Sequence, residues 1–224
     1  MNKKLFYYTL VLSITVQAIS GVLDVGALFV KLPKAALLIR QLLLLELAVQ
    51  VIEGAFYVWL FYNFAKLTNV TPQRYIDWVI TTPTMLVSLI FYLIYLNKKG
   101  DTKDLEFFSL MKEHASVVVP VLLLNWAMLL FGYLGEMKVL SFFTSAMLGF
   151  IPFLIYYYMI YVNYVSTENN GYLMFWYFFG FWALYGVAAT MPYYTKNICY
   201  DILDLFAKNF FGLFLVYIIF AGKY

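Results

Sequence analysis

The sequence contains few of the residues that soluble proteins use at their surfaces, in disulfides and in metal sites. Only 12% of its 224 residues are charged, against roughly 25% in ordinary soluble domains. Because there is one cysteine, Cys199, and one histidine, His114, neither an intramolecular disulfide nor a Cys/His metal cluster is expected. The net charge of +3 is small, so no nucleic-acid partner is expected either.

Apolar residues are what the sequence has in abundance. Hydrophobic residues make up 64% of the chain and the mean hydropathy is +0.81, which indicates an integral membrane protein. A helix needs roughly 20 apolar residues to cross a bilayer. Seven segments are long enough: residues 5–30, 35–63, 72–96, 115–135, 138–165, 170–190 and 197–221. The sequence therefore predicts an all-α, multi-pass membrane protein, a seven-transmembrane-helix bundle in a single domain of residues 1–224.

Basic residues at the connections predict the orientation of this bundle, because cytoplasmic loops carry an excess of lysine and arginine. With the N-terminus outside, eight basic residues lie on the cytoplasmic side: Lys31, Lys34, Arg40, Lys98, Lys99, Lys103, Lys112 and Lys223. Five lie on the opposite side: Lys3, Lys4, Lys66, Lys138 and Lys196. The count favours an extracellular N-terminus and a cytoplasmic C-terminus.

A lysine stands in the middle of the seventh apolar segment. An ionisable residue near the centre of a membrane helix costs roughly 2.5–3.5 kcal/mol on insertion scales, so Lys208 marks a functional site that needs a partner. Asp204 lies four residues earlier and therefore on the same helix face. An amine in an apolar pocket is suited to forming a Schiff base with an aldehyde.

The third segment opens with a second polar phrase, Arg74-Tyr75-Ile76-Asp77-Trp78-Val79-Ile80-Thr81-Thr82-Pro83. Together with Lys208, this phrase resembles the microbial rhodopsins over essentially the whole chain. The resemblance implies all-trans retinal bound to Lys208 as a protonated Schiff base. It also implies that Asp77 is the primary counterion and proton acceptor, and Asp204 the second counterion. Thr81 is expected to be a hydroxyl partner of Asp77, and Arg74 to offset surplus negative charge. The structural alternative is a buried ion-pair network that only fixes helix packing.

The walls of a retinal pocket should be large and apolar. The resemblance assigns this role to five residues: Trp78, Thr82, Met147, Trp182 and Tyr185. It also implies that Tyr185 bonds to Asp204. Gly186 stands where the family has a proline. Aromatic residues in membrane helices serve packing more often than cofactor binding, so packing remains the alternative for the other aromatics.

Two positions disfavour an efficient outward proton pump. Pumps of the family usually carry a carboxylate eleven residues after the counterion, and this chain has Ser88 there. Twelve residues before the retinal lysine, where archaeal pumps often carry a proton-release carboxylate, stands Lys196. Slow pumping without a cytoplasmic donor stays open as an alternative, and a photosensor is a third possibility.

Polar residues line one face of the second helix and continue on its neighbours. A polar stripe at membrane depth must face protein or water. The predicted ion path consists of Ser13, Gln17, Glu46, Gln50, Glu53 and Asn209. Acidic side chains along a path favour cations. The alternative is that these groups only hydrogen-bond helices together.

This set resembles the channelrhodopsins, and most closely the viral group 1 rhodopsins. The resemblance implies a light-gated cation channel for H⁺, Na⁺ or K⁺, in the plasma membrane or another host membrane, with a constriction at Glu53 and Asn209. No enzymatic activity is expected. Asn125 is expected to contact Thr82 between helices and to influence gating speed. Exposed apolar faces allow lipid contact and also a homo-oligomer.

Overall fold

A computed structural model describes residues 2–98 and 105–224, and these ranges contain helices and no strand. The helices are α1 (Asn2–Leu28), α2 (Leu37–Asn63), α3 (Thr71–Asn97), α4 (Phe107–Glu113), α5 (Ala115–Glu136), α6 (Phe142–Tyr164), α7 (Gly171–Ala189), α8 (Tyr193–Asp204) and α9 (Phe210–Phe220). A short 3₁₀ turn, Lys34–Ala36, precedes α2. The helix α4 is too short to cross a bilayer.

Seven spans are long and apolar enough to cross a membrane within the described part of the chain. They are α1, α2, α3, α5, α6, α7, and the continuous stretch from α8 to α9. The predicted all-helical membrane fold is therefore confirmed, and most ends agree within two residues. Three starts differ more: α1 begins at Asn2 rather than 5, α6 begins at Phe142 rather than 138, and α8 begins at Tyr193 rather than 197.

The helical winding of the seventh span changes around Lys208. Residues Leu205–Asn209 form a π-helical turn between α8 and α9, and Lys208 lies inside it. Wider π turns inside α-helices occur often at functional sites. Because the turn shifts the register of the helix, the side chains of α9 do not follow the face that regular 3.6-residue periodicity counted from α8 would give them.

The helix α3 forms the centre of the bundle, and 78% of its most apolar stretch is buried. It packs against α2, α5, α6 and α7, while α1 packs against α2 and α8. The outer faces of the surrounding helices carry large apolar side chains, for example Val22 and Ile151. Such faces suit contact with lipid acyl chains, as expected of an integral multi-pass membrane protein. The orientation stays a prediction, and two residues that it counts, Lys99 and Lys103, lie outside the described residues.

Candidate functional site

The amine of Lys208 is buried at the centre of the bundle and faces three carboxylates. Its Nζ donates a hydrogen bond to Asp77 Oδ2 at 2.7 Å. It also lies 3.3 Å from Glu53 Oε1 and 3.5 Å from Asp204 Oδ1. The carboxylates come from α3, α2 and α8, so three helices converge on one nitrogen. These three carboxylates would balance a positive charge on this nitrogen.

Glu53 therefore has a contact that its place in the predicted ion path did not suggest. Its side chain is fully buried, and its contact within the described chain is the ion pair with Lys208 rather than a hydrogen bond to Asn209. The same residue thus belongs both to the polar stripe of α2 and to the surroundings of the lysine.

Asp204 connects the lysine to two tyrosines. One carboxylate oxygen accepts a hydrogen bond from Tyr185 at 2.6 Å, and the other accepts one from Tyr57 at 2.6 Å. Tyr185 comes from α7 and Tyr57 from α2. Because both oxygens are held, the orientation of Asp204 beside Lys208 is fixed from two sides.

Arg74 is fully buried and pairs mainly with a carboxylate that the sequence analysis missed. Its guanidinium lies 2.5 Å from Asp201 Oδ1 and 3.4 Å from Asp204 Oδ2. Asn197 accepts a further hydrogen bond from Arg74 Nε at 3.0 Å. Thr9 donates to the other oxygen of Asp201 at 2.6 Å. The spacing of positions 201, 204 and 208 on one helix face was the signal that could have indicated Asp201.

Thr81 does not make the predicted contact with the carboxylate of Asp77. Its hydroxyl donates to the backbone carbonyl of Asp77 at 3.0 Å. Asp77 Oδ1 has no hydrogen-bond partner among the described residues. A threonine inside a helix readily bonds the carbonyl four residues earlier, and here this local bond replaces the predicted one.

A cavity with mostly apolar walls ends at Lys208. Four of the five predicted pocket residues line it: Trp78, Thr82, Trp182 and Tyr185. Met147 does not, and the prediction for it was wrong in geometric terms, because its side chain is 56% exposed on the outer face of α6. The cavity side of that helix is formed by Ala146, Gly149 and other residues at helical spacing, and Met147 lies on a different face.

A glycine shapes this cavity where α6 and α7 approach. A Cβ added to Gly186 would lie 2.6 Å from the ring of Phe150, so no side chain fits there without movement. The ring occupies the space beside α7 that the glycine leaves open. The cavity measures about 100 Å³, whereas sites for drug-sized ligands measure roughly 300 Å³ or more. Walls such as Phe150 would therefore have to turn aside to admit a long ligand.

The expected contact between α5 and α3 is present beside the cavity. Asn125 Nδ2 donates a hydrogen bond to Thr82 Oγ1 at 2.7 Å, and both side chains are buried. The Thr82 hydroxyl in turn donates to the Trp78 carbonyl at 2.8 Å. This chain of bonds links α5 to the backbone of α3 at the residue that follows Asp77.

The residues of the predicted ion path are all buried in the bundle. Ser13 donates to the Asp201 carbonyl at 3.2 Å. The side-chain polar atoms of the others make no hydrogen bond within the described ranges, and these residues are Gln17, Glu46, Gln50, Glu53 and Asn209. Buried polar groups normally have partners, so groups left without one are expected to face water or a ligand.

A further buried ion pair lies near the start of α8, and sequence reasoning did not find it. Lys196 Nζ lies 2.5 Å from Glu136 Oε1 at the end of α5. The same amine lies 4.3 Å from the centre of the Phe142 ring. The buried lysine was visible in the sequence, but its partner is sixty residues away and no local pattern connects them.

Comparison with known proteins identifies the family. The model of the bacteriorhodopsin-like protein family matches residues 7–222. The chain is a microbial rhodopsin. No curated protein matches it.

Solved microbial rhodopsins share this fold. The viral rhodopsin OLPVRII is 27% identical, with a TM-score of 0.84, and the match covers 98% of this chain and 99% of that one. Exiguobacterium sibiricum rhodopsin is 15% identical at a TM-score of 0.78, with 100% and 98% covered. Xanthorhodopsin, a light-driven ion pump with dual chromophore, is 20% identical at a TM-score of 0.74, with 99% and 94% covered.

Membership of this family implies a retinal chromophore carried on a lysine, and a photoreceptor, pump or channel rather than a typical enzyme. The site suits a retinal chromophore, because Lys208 is buried at the end of an apolar cavity with aromatic walls. A further buried lysine in the described part of this microbial rhodopsin, Lys196, is paired with Glu136 and is not among the residues that line this cavity.

Proposed function

We propose that this microbial rhodopsin is a light-gated cation channel whose path runs between α1, α2 and the seventh span. The observation that carries the proposal is the set of buried polar side chains without hydrogen bonds within the described chain. Gln17, Gln50 and Asn209 come from three different helices that pack together. Neutral amides and carboxylates in such a row can replace the water around a moving cation.

Lys208 is the residue that would hold retinal, in its all-trans form and with a proton on the shared nitrogen. When bound, retinal supplies the absorption of light and a change of shape. The residues around the nitrogen hold its proton and accept it. Asp77, at 2.7 Å, is the counterion and the nearest proton acceptor. Asp204 and Glu53 add negative charge on other sides of the same nitrogen, which keeps a proton there in the dark.

Arg74 and its partners close the path in the dark. The guanidinium fills the space between α3 and α8 and is held by Asp201, Asp204 and Asn197. Tyr57 of α2 accepts a hydrogen bond from Arg74 at 3.3 Å and joins the second helix to the same group. A fixed, buried positive charge opposes the passage of cations.

Asp204 would transmit the change at Lys208 to this barrier. Its two oxygens are shared among Lys208, Tyr185, Tyr57 and Arg74. When the proton on the Lys208 nitrogen moves to Asp77, Asp204 loses one cationic neighbour. Its attraction for Arg74 then increases, and the contacts that join Arg74 to Tyr57 and Asp201 rearrange. In this proposal that rearrangement opens the barrier, and cations move down their gradient past Glu53 and Asn209.

Photocurrents under voltage clamp test the proposal, with retinal supplied and the external cations varied. A channel gives a current that reverses near the cation equilibrium potential. Glu53→Gln should change its size or its selectivity, because this variant removes a charge between Lys208 and the path. Glu168→Gln, at an exposed carboxylate, is the matched control and should leave the current unchanged. A current that is outward at every voltage and insensitive to Na⁺ and K⁺ would overturn the channel.

A light-driven outward proton pump is the second candidate. The 2.7 Å contact between Lys208 and Asp77 favours it, because a pump needs an acceptor at hydrogen-bond distance. Ser88 occupies the usual position of the proton donor, so the proton would return from water or from Glu46. Such a pump would be slow, and Asp77→Asn would abolish its outward current.

Further features belong to the same proposal. The chain forms one domain over residues 1–224, with an extracellular N-terminus and a cytoplasmic C-terminus. The transported ions are H⁺, Na⁺ or K⁺, and the exposed apolar faces contact lipid and also suit a homo-oligomer.

A further inference from the structure

We propose that Asp24, Glu46 and Gln50 form a cation-binding site in the half of the bundle that holds the C-terminus. The site would take a monovalent cation such as Na⁺. Its occupancy in the dark is a property of the folded chain, whereas its use by a moving ion rests on the proposed channel function. Asp24 is not part of the predicted ion path, which was drawn through α1 at Ser13 and Gln17.

Asp24 lies on the inner face of α1 and is fully buried. Neither of its carboxylate oxygens makes a hydrogen bond within residues 2–98 and 105–224. It stands seven residues after Gln17, which places both on the same face of α1, two turns apart. The row of buried polar groups thus continues past Gln17 to a carboxylate.

Glu46 is 1% exposed and stands one helical turn before Gln50 on α2, on the face that approaches Asp24 near Gly212. Its two oxygens also lack hydrogen-bond partners in the described chain. Ser88 lies beside this carboxyl without a hydrogen bond that satisfies normal geometry. Ordinary buried carboxylates are paired with lysine or arginine, as Glu136 and Asp201 are here.

No lysine or arginine forms an ion pair with Asp24 or Glu46 among the described residues. Lys208 is engaged by Asp77, Glu53 and Asp204, and Arg40 bonds the Val30 carbonyl. Buried carboxylates without a partner carry a large energetic cost unless a proton neutralises them or a cation joins them. A bound cation supplies a positive charge.

The amide group of Gln50 lies beside the carboxylate of Asp24. The side chain is 5% exposed, and both of its polar atoms lack hydrogen-bond partners in the described part of the chain. A Cβ built on Gly212 would lie 3.0 Å from Asp24 Oδ2 and 3.3 Å from Gln50 Nε2. Asp24 and Gln50 therefore converge on the bare backbone of α9, where a glycine leaves room.

The ligand atoms available here determine the class of ion. Carboxylate oxygens are hard donors, and so is the Gln50 amide oxygen, which lies beside Gly21 and would reach the site when the amide turns over. Such donors suit alkali and alkaline-earth cations rather than soft metals. The described residues contain no group of three or more acidic, histidine or cysteine side chains suited to a metal ion. Two carboxylates with one amide favour a weakly held monovalent ion, and weak binding is what conduction requires.

The site lies along the proposed ion path, two helical turns of α2 from Glu53. Glu46 precedes Glu53 by seven residues, which is about 10 Å along α2, and Gln50 lies between them. A cation at Asp24 and Glu46 would thus wait two helical turns from the lysine, on the side away from Arg74.

Infrared difference spectroscopy in the dark tests this site on the retinal-loaded full chain in lipid nanodiscs. The buffer is exchanged between Na⁺ and the bulky cation N-methylglucamine. We expect carboxylate stretching bands that appear with Na⁺. Asp24→Asn should remove them or raise the half-saturating Na⁺ concentration by about tenfold or more. Glu113→Gln, at an exposed carboxylate, is the matched control and should leave them unchanged.

Gly212→Ala is a second variant that keeps both carboxylates, and it carries the test if Asp24→Asn fails to fold. Its methyl group would approach Asp24 Oδ2 to 3.0 Å, so it should also weaken the Na⁺ response by about tenfold. A protonated carboxyl band assigned to Asp24 that ignores Na⁺ would overturn the site in favour of stored protons. The absence of any Na⁺-dependent band would overturn it as well.

Photocurrents separate this inference from the channel. A Na⁺-dependent band without passive current would retain the site and reject the channel. A passive current without the band would do the reverse.

Discussion

The carboxylate of Asp201 lies 2.5 Å from the guanidinium of Arg74, closer than any other carboxylate that this arginine contacts in the described chain. Both side chains are fully buried. The resemblance placed Arg74 near Lys208. Arg74 is held mainly by Asp201, which lies one turn of α8 before Asp204. Asp201 thereby links the helix that carries Lys208 to α3.

Replacement of Asp201 by asparagine should destabilise the protein. The change removes the charged partner at 2.5 Å, but Arg74 keeps Asp204, so a loss of about 1.5–3 kcal/mol in the free energy of unfolding is expected. Unfolding in a sodium dodecyl sulfate titration, followed by circular dichroism, measures it. Glu113→Gln serves as the exposed control and should change stability by less than about 0.5 kcal/mol. Equal effects of the two variants would contradict the role given to Asp201.

Lys208→Ala should abolish the visible absorption band that forms when the protein is mixed with retinal. The reason is that Lys208 is the amine at the end of the apolar cavity. The paired replacement Lys196→Met with Glu136→Gln removes the other buried lysine without leaving a lone charge, and it should keep the band. A visible band in Lys208→Ala, or its loss only in the paired variant, would refute the assignment.

The Lys196–Glu136 pair should behave as one unit in stability measurements. Removing either partner alone leaves a buried charge uncompensated, which costs about 3–5 kcal/mol. Lys196→Met combined with Glu136→Gln should cost much less than the sum of the two single changes. The four free energies of unfolding form a double-mutant cycle. Additive effects would show that the two residues do not interact.

Gly186→Ala should overpack the contact between α7 and α6. The added methyl group would meet the Phe150 ring at 2.6 Å, so a loss of about 1–3 kcal/mol is expected. Phe150→Leu in the same protein should recover part of that loss. Gly180→Ala in the same helix is the control, because its Cβ would meet nothing within 4 Å. If the two alanine variants were equally stable, the tight contact would not exist.

Asn125→Ala should slow the return of the light-activated state to the dark state by about tenfold, equivalent to about 1.4 kcal/mol in the barrier. The bond from Asn125 to Thr82 stabilises the dark arrangement of α5 against α3, so its loss weakens the drive to return. Flash photolysis measures the decay. Trp126→Phe removes a neighbouring α5–α3 bond, from Trp126 to the Val79 carbonyl, on the exposed side and should have little effect. A tenfold change in both variants would argue against a specific role for Asn125.

The sequence alone was enough for the membrane class, the seven spans and the central lysine with its neighbour Asp204. These features depend on local properties. Apolar length decides whether a helix can cross a bilayer, and a spacing of four residues places two side chains together on one helix, as the 3.5 Å contact of Lys208 and Asp204 illustrates.

Contacts between helices were decided only by the tertiary structure, because they depend on how each helix is rotated and how far it is shifted along its axis. Glu53 reaches Lys208, Arg74 takes Asp201, and Met147 faces outward. The π turn at Leu205–Asn209 changes the register of the seventh span, and periodicity does not foresee it. Lys196 and Glu136 meet across sixty residues, where only the packing of α5 against the start of α8 could bring them together.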